Sequence, residues 1–343
     1  MNNPQVKESG ANAVGHKNVV TAVATAIFDM FSNKGQMDPL PDDVRIDGKT
    51  CLVTGANSGL GKAVAIDLAK KGGRVIMACR GGHPEAGEEV KLASGNQNVE
   101  MIKVDLSDIQ SVEKLCDDLR DRNVQIDIAV LNAGLMPLNA RKSPQGFELM
   151  FAVHFLANRL LLERWTKDGV IRPNTDRDKT PRVIFVSSEA HQSSDPIDFN
   201  HFGEFNDYGI KEGLKYYGLS KLHLCLFANE LSRRLNPEGE TQVAVHSLCP
   251  GPIASNIARE SPAYLKPILS PIMKAFFRSP EQAAEPVIYL ACAKDMGERS
   301  GVYLHMMREK NTSVDAQDES SGSLLWEKSA DLLSQHTQEP VSA

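Results

Sequence analysis

Tyr217 and Lys221, four positions apart in the run Tyr217-Gly218-Leu219-Ser220-Lys221, are of the types that move a proton. On a helix, side chains at i and i+4 share a face. A phenol ordinarily titrates at about 10, too high for an acid or base working at neutral pH, and a neighbouring ammonium favours the phenolate. Bringing the phenol to about 7 takes roughly 4 kcal/mol, at about 1.4 kcal/mol per unit. Tyr216 is five positions from Lys221 and is turned off that face. A second run, Thr54-Gly55-Ala56-Asn57-Ser58-Gly59-Leu60-Gly61, joins an apolar strand to a helix. Its glycines let the backbone approach a pyrophosphate, while the helix N–H groups and dipole favour the negative charge. Gly55, Asn57, Ser58, Gly59, Leu60 and Gly61 are the candidate contacts.

The next strand ends at Cys79-Arg80, with no Asp or Glu at its end. In dinucleotide folds an acidic residue there binds the ribose 2′-OH, whereas an arginine accommodates a 2′-phosphate. Arg80 therefore points to NADP(H) in preference to NAD(H).

Elements that would position these residues alternate along the chain. Strands are predicted at Thr50–Gly55, Arg74–Arg80, Val99–Asp105, Ile126–Asn132, Arg182–Ser187, Gln242–Leu248 and Val302–His305. Helices are predicted at Leu60–Lys71, Ile109–Leu119, Phe147–Trp165, Tyr217–Leu235 and Pro280–Cys292. This alternation implies an α/β fold: a Rossmann-like, doubly wound parallel sheet of about seven strands with helices on both faces. Residues 1–48 read as an extension, 49–306 as the catalytic domain and 307–343 as a polar segment with a short helix.

Hydrophobic residues make up 41% of the 343, enough for a sizeable core, and the net charge of -6 argues against nucleic acid as the main partner. The six cysteines form no CxxC pair and read as buried thiols of a reducing compartment. No metal ligand set is evident. No apolar run approaches the ~20 residues of a membrane span, and the N-terminus lacks a secretory signal, so a cytoplasmic protein is expected. In the extension, Val19, Val23, Ile27 and Met30 recur at helical spacing after Asn18. Such a helix either packs on the protein or a second subunit, or lies on a membrane surface as a peripheral contact.

The glycine spacing, TGxxxGxG, together with the Tyr–Lys pair, resembles the short-chain dehydrogenase/reductase family. The resemblance extends in order across residues 49–306, and it implies roles for further residues. Asp105, ending the third strand, would lie by the adenine amino group, with Leu106 after it. Asn132-Ala133-Gly134 matches the family's NAG segment near the adenine ribose. Ser188, the second serine of the Ser187-Ser188 pair, would orient a substrate carbonyl, leaving Ser187 structural. Cys249-Pro250-Gly251-Pro252-Ile253-Ala254-Ser255 resembles the PGxxxT segment, where Ile253 and Ser255 would hold the nicotinamide carboxamide beside Pro250 and Gly251. The positive nicotinamide ring would join Lys221 in lowering the Tyr217 phenol.

One departure stands out. The family's helix after the fourth strand carries an asparagine thought to hold a relay water, and His154 takes that position in Val153-His154-Phe155-Leu156-Ala157-Asn158. His154 either joins a proton relay or is a packed histidine, and Asn158 one turn later is a second candidate. The wording of Val75–Arg80, Gly146–Leu149, Ser300–Tyr303 and Leu325–Ser329 resembles the retinol dehydrogenase-like and protochlorophyllide reductase-like branches. The resemblance thus implies carbonyl–alcohol interconversion on a lipophilic, retinoid-, steroid- or aliphatic-like substrate, with Tyr217 as the acid/base. The alternatives are a C=C reductase of the protochlorophyllide or enone type, and a catalytically weak cofactor-binding regulatory protein. Apolar residues between Pro252 and Ser279 (Ile257, Tyr264, Leu265, Ile268, Ile272, Met273, Phe276 and Phe277) read as a substrate flap or as packing, with the His191–Gly213 loop as the other rim. The family often dimerises through helices that include the Tyr–Lys helix, so a homodimer is a further expectation.

Overall fold

The computed structural model describes residues 37–174, 176, 178–253 and 278–337. The N-terminal helix expected around Val19–Met30 lies outside these residues.

Among the described residues, eight strands form one sheet in the order β3-β2-β1-β4-β5-β6-β7-β8. They are β1 (Thr50–Thr54), β2 (Arg74–Cys79), β3 (Val99–Lys103), β4 (Ile128–Leu131), β5 (Arg182–Val186), β6 (Ala244–Cys249), β7 (Val302–His305) and β8 (Arg308–Lys310). The first seven run parallel; β8 pairs antiparallel to β7. The eighth strand was not legible, because Arg308-Glu309-Lys310 has no apolar residue to mark it. Edge strands tolerate such composition.

The inner strands are buried along their length because both faces are covered: IAVL in β4 and AVHSLC in β6 have no exposed residue. Alternate residues serve opposite faces. Leu52 packs in one core cluster, Cys51 and Val53 in the other. One cluster draws on α1 (Gly59–Lys70), α2 (Glu85–Ser94) and α6 (Pro280–Cys292). The other draws on α3 (Ile109–Asp121), α4 (residues 149–167), α5 (Ile210–Leu235) and α8 (Glu319–Ser334). A four-residue turn of helix, α7 (Val314–Gln317), precedes α8. Fully burying a Leu or Phe side chain contributes about 1.5–3 kcal/mol, so these two layers dominate the stability. All six cysteines are buried free thiols.

Helix α2 was missed from sequence. Its start has Glu85 and Glu88, its stop is Gly95 in the left-handed region (φ 72°), and only Ala86, Gly87 and Val90 are buried. Helix α5 begins at Ile210, seven residues before the expected start, because its first two turns are largely exposed. Within α4, Ala152–Leu156 is π-helical. There the His154 carbonyl accepts a bond at 2.8 Å from the Asn158 side-chain amide. Beyond residue 306, the chain returns to the domain: Leu325, Trp326, Ala330 and Leu333 of α8 are buried, packed over α5. Among the described residues no helix is long and apolar enough to cross a membrane, and no group of three or more His, Cys, Asp or Glu is placed to hold a metal.

Candidate active site

The strand order reverses between β1 and β4, the point where such sheets leave a crevice beyond their carboxyl ends. Thr54 closes β1 there. Its Oγ1 accepts the backbone N–H groups of Asn132 and Ala133, both at 3.0 Å, and the Asn132 side chain donates to the Thr54 carbonyl at 2.9 Å. Gly55 turns the chain at φ +67° and Gly59 at φ +54°. A Cβ on Gly61 would stand 2.5 Å from both the Gly55 carbonyl oxygen and the Asn132 amide nitrogen, so only hydrogen fits. Ser58 is the extended residue before α1 and its side chain caps nothing. The first-turn N–H groups, with the positive end of the dipole, are thus free of a side-chain cap. Leu60 is buried beneath the turn.

Arg80 is exposed one residue past β2. Asp105 is held by the Ser107 backbone and hydroxyl, both donating to Oδ1 at 2.9 and 2.7 Å, and Leu106 beside it is buried. Gly134 is exposed after β4, next to the partly buried Ala133.

The 26-residue helix α5 carries Tyr217 and Lys221. Lys221 is 4% exposed, and its Nζ donates to the Val186 carbonyl at the end of β5 at 3.0 Å. It stands 5.7 Å from the centroid of the Tyr217 ring. Burial pulls the ammonium down to about 8. Burial also pushes the Tyr217 phenol up to about 12, and a hydrogen bond with Ser188 works in the opposite direction. In the protein by itself, desolvation therefore outweighs the lowering that the Tyr–Lys spacing suggests. Ser188 follows β5 in extended conformation, and its Oγ accepts the Ala190 N–H at 3.3 Å. Ser187 faces the other way, with Oγ 3.1 Å from the buried Cys225 sulfur. Tyr217's neighbour Gly218 lies against the turn after Ser188: a Cβ there would be 2.9 Å from the Ala190 carbonyl oxygen.

His154 is fully buried. Its Nε2 is 3.0 Å from the Leu135 N–H and its Nδ1 is 2.9 Å from Ser220 Oγ. Burial, then the charge of Lys221, push its pKa well below the ordinary imidazole value.

After β6, Pro250 and Gly251 (φ +83°) turn the chain, and Ile253 pairs with Arg278 in a short parallel bridge. The Arg278 N–H donates to the Pro252 carbonyl at 2.9 Å and its guanidinium to the Pro250 carbonyl at 3.3 Å. Ser255 and the apolar residues from Ile257 to Phe277 lie outside the described residues. Arg278 was not singled out from sequence, nor was His191. The buried His191 ring has Nδ1 2.7 Å from the Ser188 carbonyl and Nε2 3.2 Å from the Ser313 N–H. Its tie to Ser313, 122 positions away, leaves no mark in local spacing.

The remaining candidates therefore converge on one edge: Gly55–Gly61, Arg80, Asp105, Asn132, Ser188 and Pro250–Ile253 each follow the carboxyl end of a strand. The chain is similar to known proteins along most of this length. Residues 49–197 match the family model described as short chain dehydrogenase. Retinol dehydrogenase 13 of Homo sapiens is 33% identical over 304 residues, covering 85% of this chain and 87% of that protein. Retinol dehydrogenase 14 of Mus musculus is 34% identical over 303 residues, covering 82% and 84%. Among solved structures, an uncharacterised protein of Mycobacterium paratuberculosis aligns with a TM-score of 0.66 at 25% identity, covering 89% of this chain and 100% of that one. L-sorbose reductase of Gluconobacter frateurii, solved with NADPH and L-sorbose, shares the fold with a TM-score of 0.57 at 20% identity, covering 77% of this chain and 96% of that one. The glycine turn, the Tyr–Lys helix and these relatives together place the chain in the short-chain dehydrogenase/reductase family of oxidoreductases, among its retinol dehydrogenase-like members.

Proposed function

We propose that the chain is an NADP(H)-dependent oxidoreductase that interconverts a carbonyl and an alcohol on a lipophilic substrate. The observation that carries this reading is the gathering of Ser188, Tyr217 and Lys221 at the carboxyl end of β5, where Lys221 meets the Val186 carbonyl and Ser188 bonds Tyr217, on the sheet edge that also carries the glycine turn. The cradle that only hydrogen fits at Gly61 suits a pyrophosphate, and Arg80, with no Asp or Glu at the end of β2, suits a 2′-phosphate. Asp105 and Leu106 suit the adenine, and Asn132, Ala133 and Gly134 the adjoining ribose. Pro250, Gly251, Ile253 and Ser255 suit the carboxamide.

When bound, the nicotinamide supplies or accepts the hydride. In reduction Tyr217 gives its phenolic proton to the substrate oxygen, and in oxidation it takes that proton back. Ser188, hydrogen-bonded with Tyr217, orients the same oxygen. Lys221, fixed by the Val186 carbonyl, holds positive charge near the phenol and limits the cost of phenolate. The names of the relatives support an apolar substrate such as a retinoid. A cytoplasmic placement with peripheral membrane contact through residues 1–48, and a homodimer, complete the proposal; vesicle flotation and light scattering check them.

The cofactor part is tested by fluorescence titration with NADPH and NADH, followed by a panel of retinoid, steroid and aliphatic carbonyls. NADPH is expected to bind at least about tenfold more tightly, and Arg80→Ala to erase that difference, as loss of a charge-assisted bond of about 1.5–3 kcal/mol implies. Equal affinities, or a preference that survives Arg80→Ala, contradicts the assignment.

A further inference from the structure

Where the family pattern has asparagine, both ring nitrogens of His154 are engaged. The Leu135 N–H donates to Nε2 at 3.0 Å. A nitrogen that accepts carries no proton, so the bonding assigns the proton of the neutral ring to Nδ1. Nδ1 stands 2.9 Å from Ser220 Oγ, and Ser220 Oγ donates to the Tyr217 carbonyl at 2.7 Å. The donors agree in direction from end to end: Leu135 N–H to His154, His154 N–H to Ser220, Ser220 O–H to Tyr217.

The geometry gives this chain two ends that matter. Leu135 directly follows the Asn132-Ala133-Gly134 turn, and Tyr217 is the residue read as the acid/base. The imidazole also stands edge-on to the Tyr217 ring, with centroids 5.9 Å apart and planes at 86°. On the other side, the ring lies near the turn itself: a Cβ on Gly134 would be 3.3 Å from Nε2. A relay residue must exchange a proton at the reacting end. Here both nitrogens are committed to fixed partners, and protonating Nε2 would expel the Leu135 N–H.

We infer that His154 is a positioning residue: a hydrogen-bonded strut through Leu135 and Ser220 that ties the turn after β4 to the backbone of Tyr217, with no reaction proton passing through its ring. This rests on the reading of Tyr217 as the acid/base. The strut sets where Tyr217 stands relative to the cofactor-side turn.

Ser220→Ala, His154→Asn and His154→Gln separate its halves. An asparagine amide reaches the place of Nδ1 and keeps the Ser220 bond. A glutamine amide reaches the place of Nε2 and keeps the Leu135 bond. Each single variant is expected to lower kcat about tenfold, because a cut strut lets Tyr217 shift from the reacting geometry, where even about 1 Å is costly. The midpoint of the kcat–pH profile stays where it is. Ser220→Ala combined with His154→Gln loses no more than about the larger single loss, because both cut one link. Exchange of the Leu135 amide, which needs no turnover, speeds at least about tenfold in His154→Asn and stays slow in His154→Gln. A kcat within twofold of wild type in Ser220→Ala, a pH midpoint that moves in any His154 variant, or Leu135 exchange indifferent to His154→Asn overturns the strut. Full turnover by Tyr217→Phe would instead sink the reading of Tyr217, and the Leu135 exchange would still test the strut.

Discussion

Burial acts on Lys221 and Tyr217 in opposite directions. It pulls the lysine down to about 8 and pushes the phenol up to about 12. A phenol that stays protonated through the neutral range is ready to act as an acid in carbonyl reduction. The ammonium beside it is the group that titrates first. Because the folded-state value of Lys221 is lowered, the charge is intact below about 8 and is lost in the fold as pH rises through that value. The reductive kcat is therefore expected to fall as pH rises through about 8, read from a kcat–pH profile; a profile flat to high pH would contradict it. At this scale the sequence is most informative where chemistry follows from local spacing. Tyr217–Lys221 is an i, i+4 relation and Gly55–Gly61 a single turn, so both are legible. The bonds of His154 are not: Leu135 and Ser220 lie 19 and 66 positions away, and only the fold brings them together.

Helix α5 is placed by a close backbone approach at Gly218, where a Cβ would sit 2.9 Å from the Ala190 carbonyl oxygen. The turn it presses on is the one that follows Ser188. Gly218→Ala must open that contact and so separate Tyr217 from Ser188. A misplacement of about 1 Å in a reacting constellation costs about a hundredfold in rate. The variant is expected to lose that order of kcat while its NADPH affinity stays near wild type, because the glycine turn belongs to another element. An unchanged kcat in a folded Gly218→Ala protein would show that this contact does not set the geometry. Elements were legible where their apolar period was strong, as in β2 and β5, whose residues are almost all buried. The short, mostly exposed α2 and the charged edge strand β8 lacked that period. Their stop and pairing signals, Gly95 and the antiparallel return from β7, act at single positions rather than across a window.

The C-terminal segment closes the molecule. Trp326 of α8 stacks on Phe227 of α5 with ring centroids 5.9 Å apart. The guanidinium of Arg159 from α4 lies 3.8 Å from the indole centroid and that of Arg234 from α5 lies 4.4 Å from it. Composition alone marks residues 307–343 as polar, because the burial of Leu325, Trp326 and Leu333 depends on a face that α4 and α5 supply. Trp326→Ala removes the shared ring of this clamp and is expected to destabilise the fold by about 3–5 kcal/mol. At about 2–4 °C per kcal/mol for a domain of this size, the midpoint falls by roughly 10 °C, read by circular dichroism. A shift within a degree would mean that α8 is an appendage rather than part of the core.

In the proposed function Tyr217 moves the reaction proton beside a bound NADP(H). Single-turnover reduction of an accepted carbonyl, followed by NADPH absorbance in wild type and in Tyr217→Phe, tests it most directly. Tyr217→Phe is expected to bind NADPH as wild type does and to lose about 10²–10⁴-fold in the rate of NADPH oxidation, the usual range for a removed acid/base. A variant that binds NADPH and oxidises it at the wild-type rate would leave Tyr217 no part in the proton transfer.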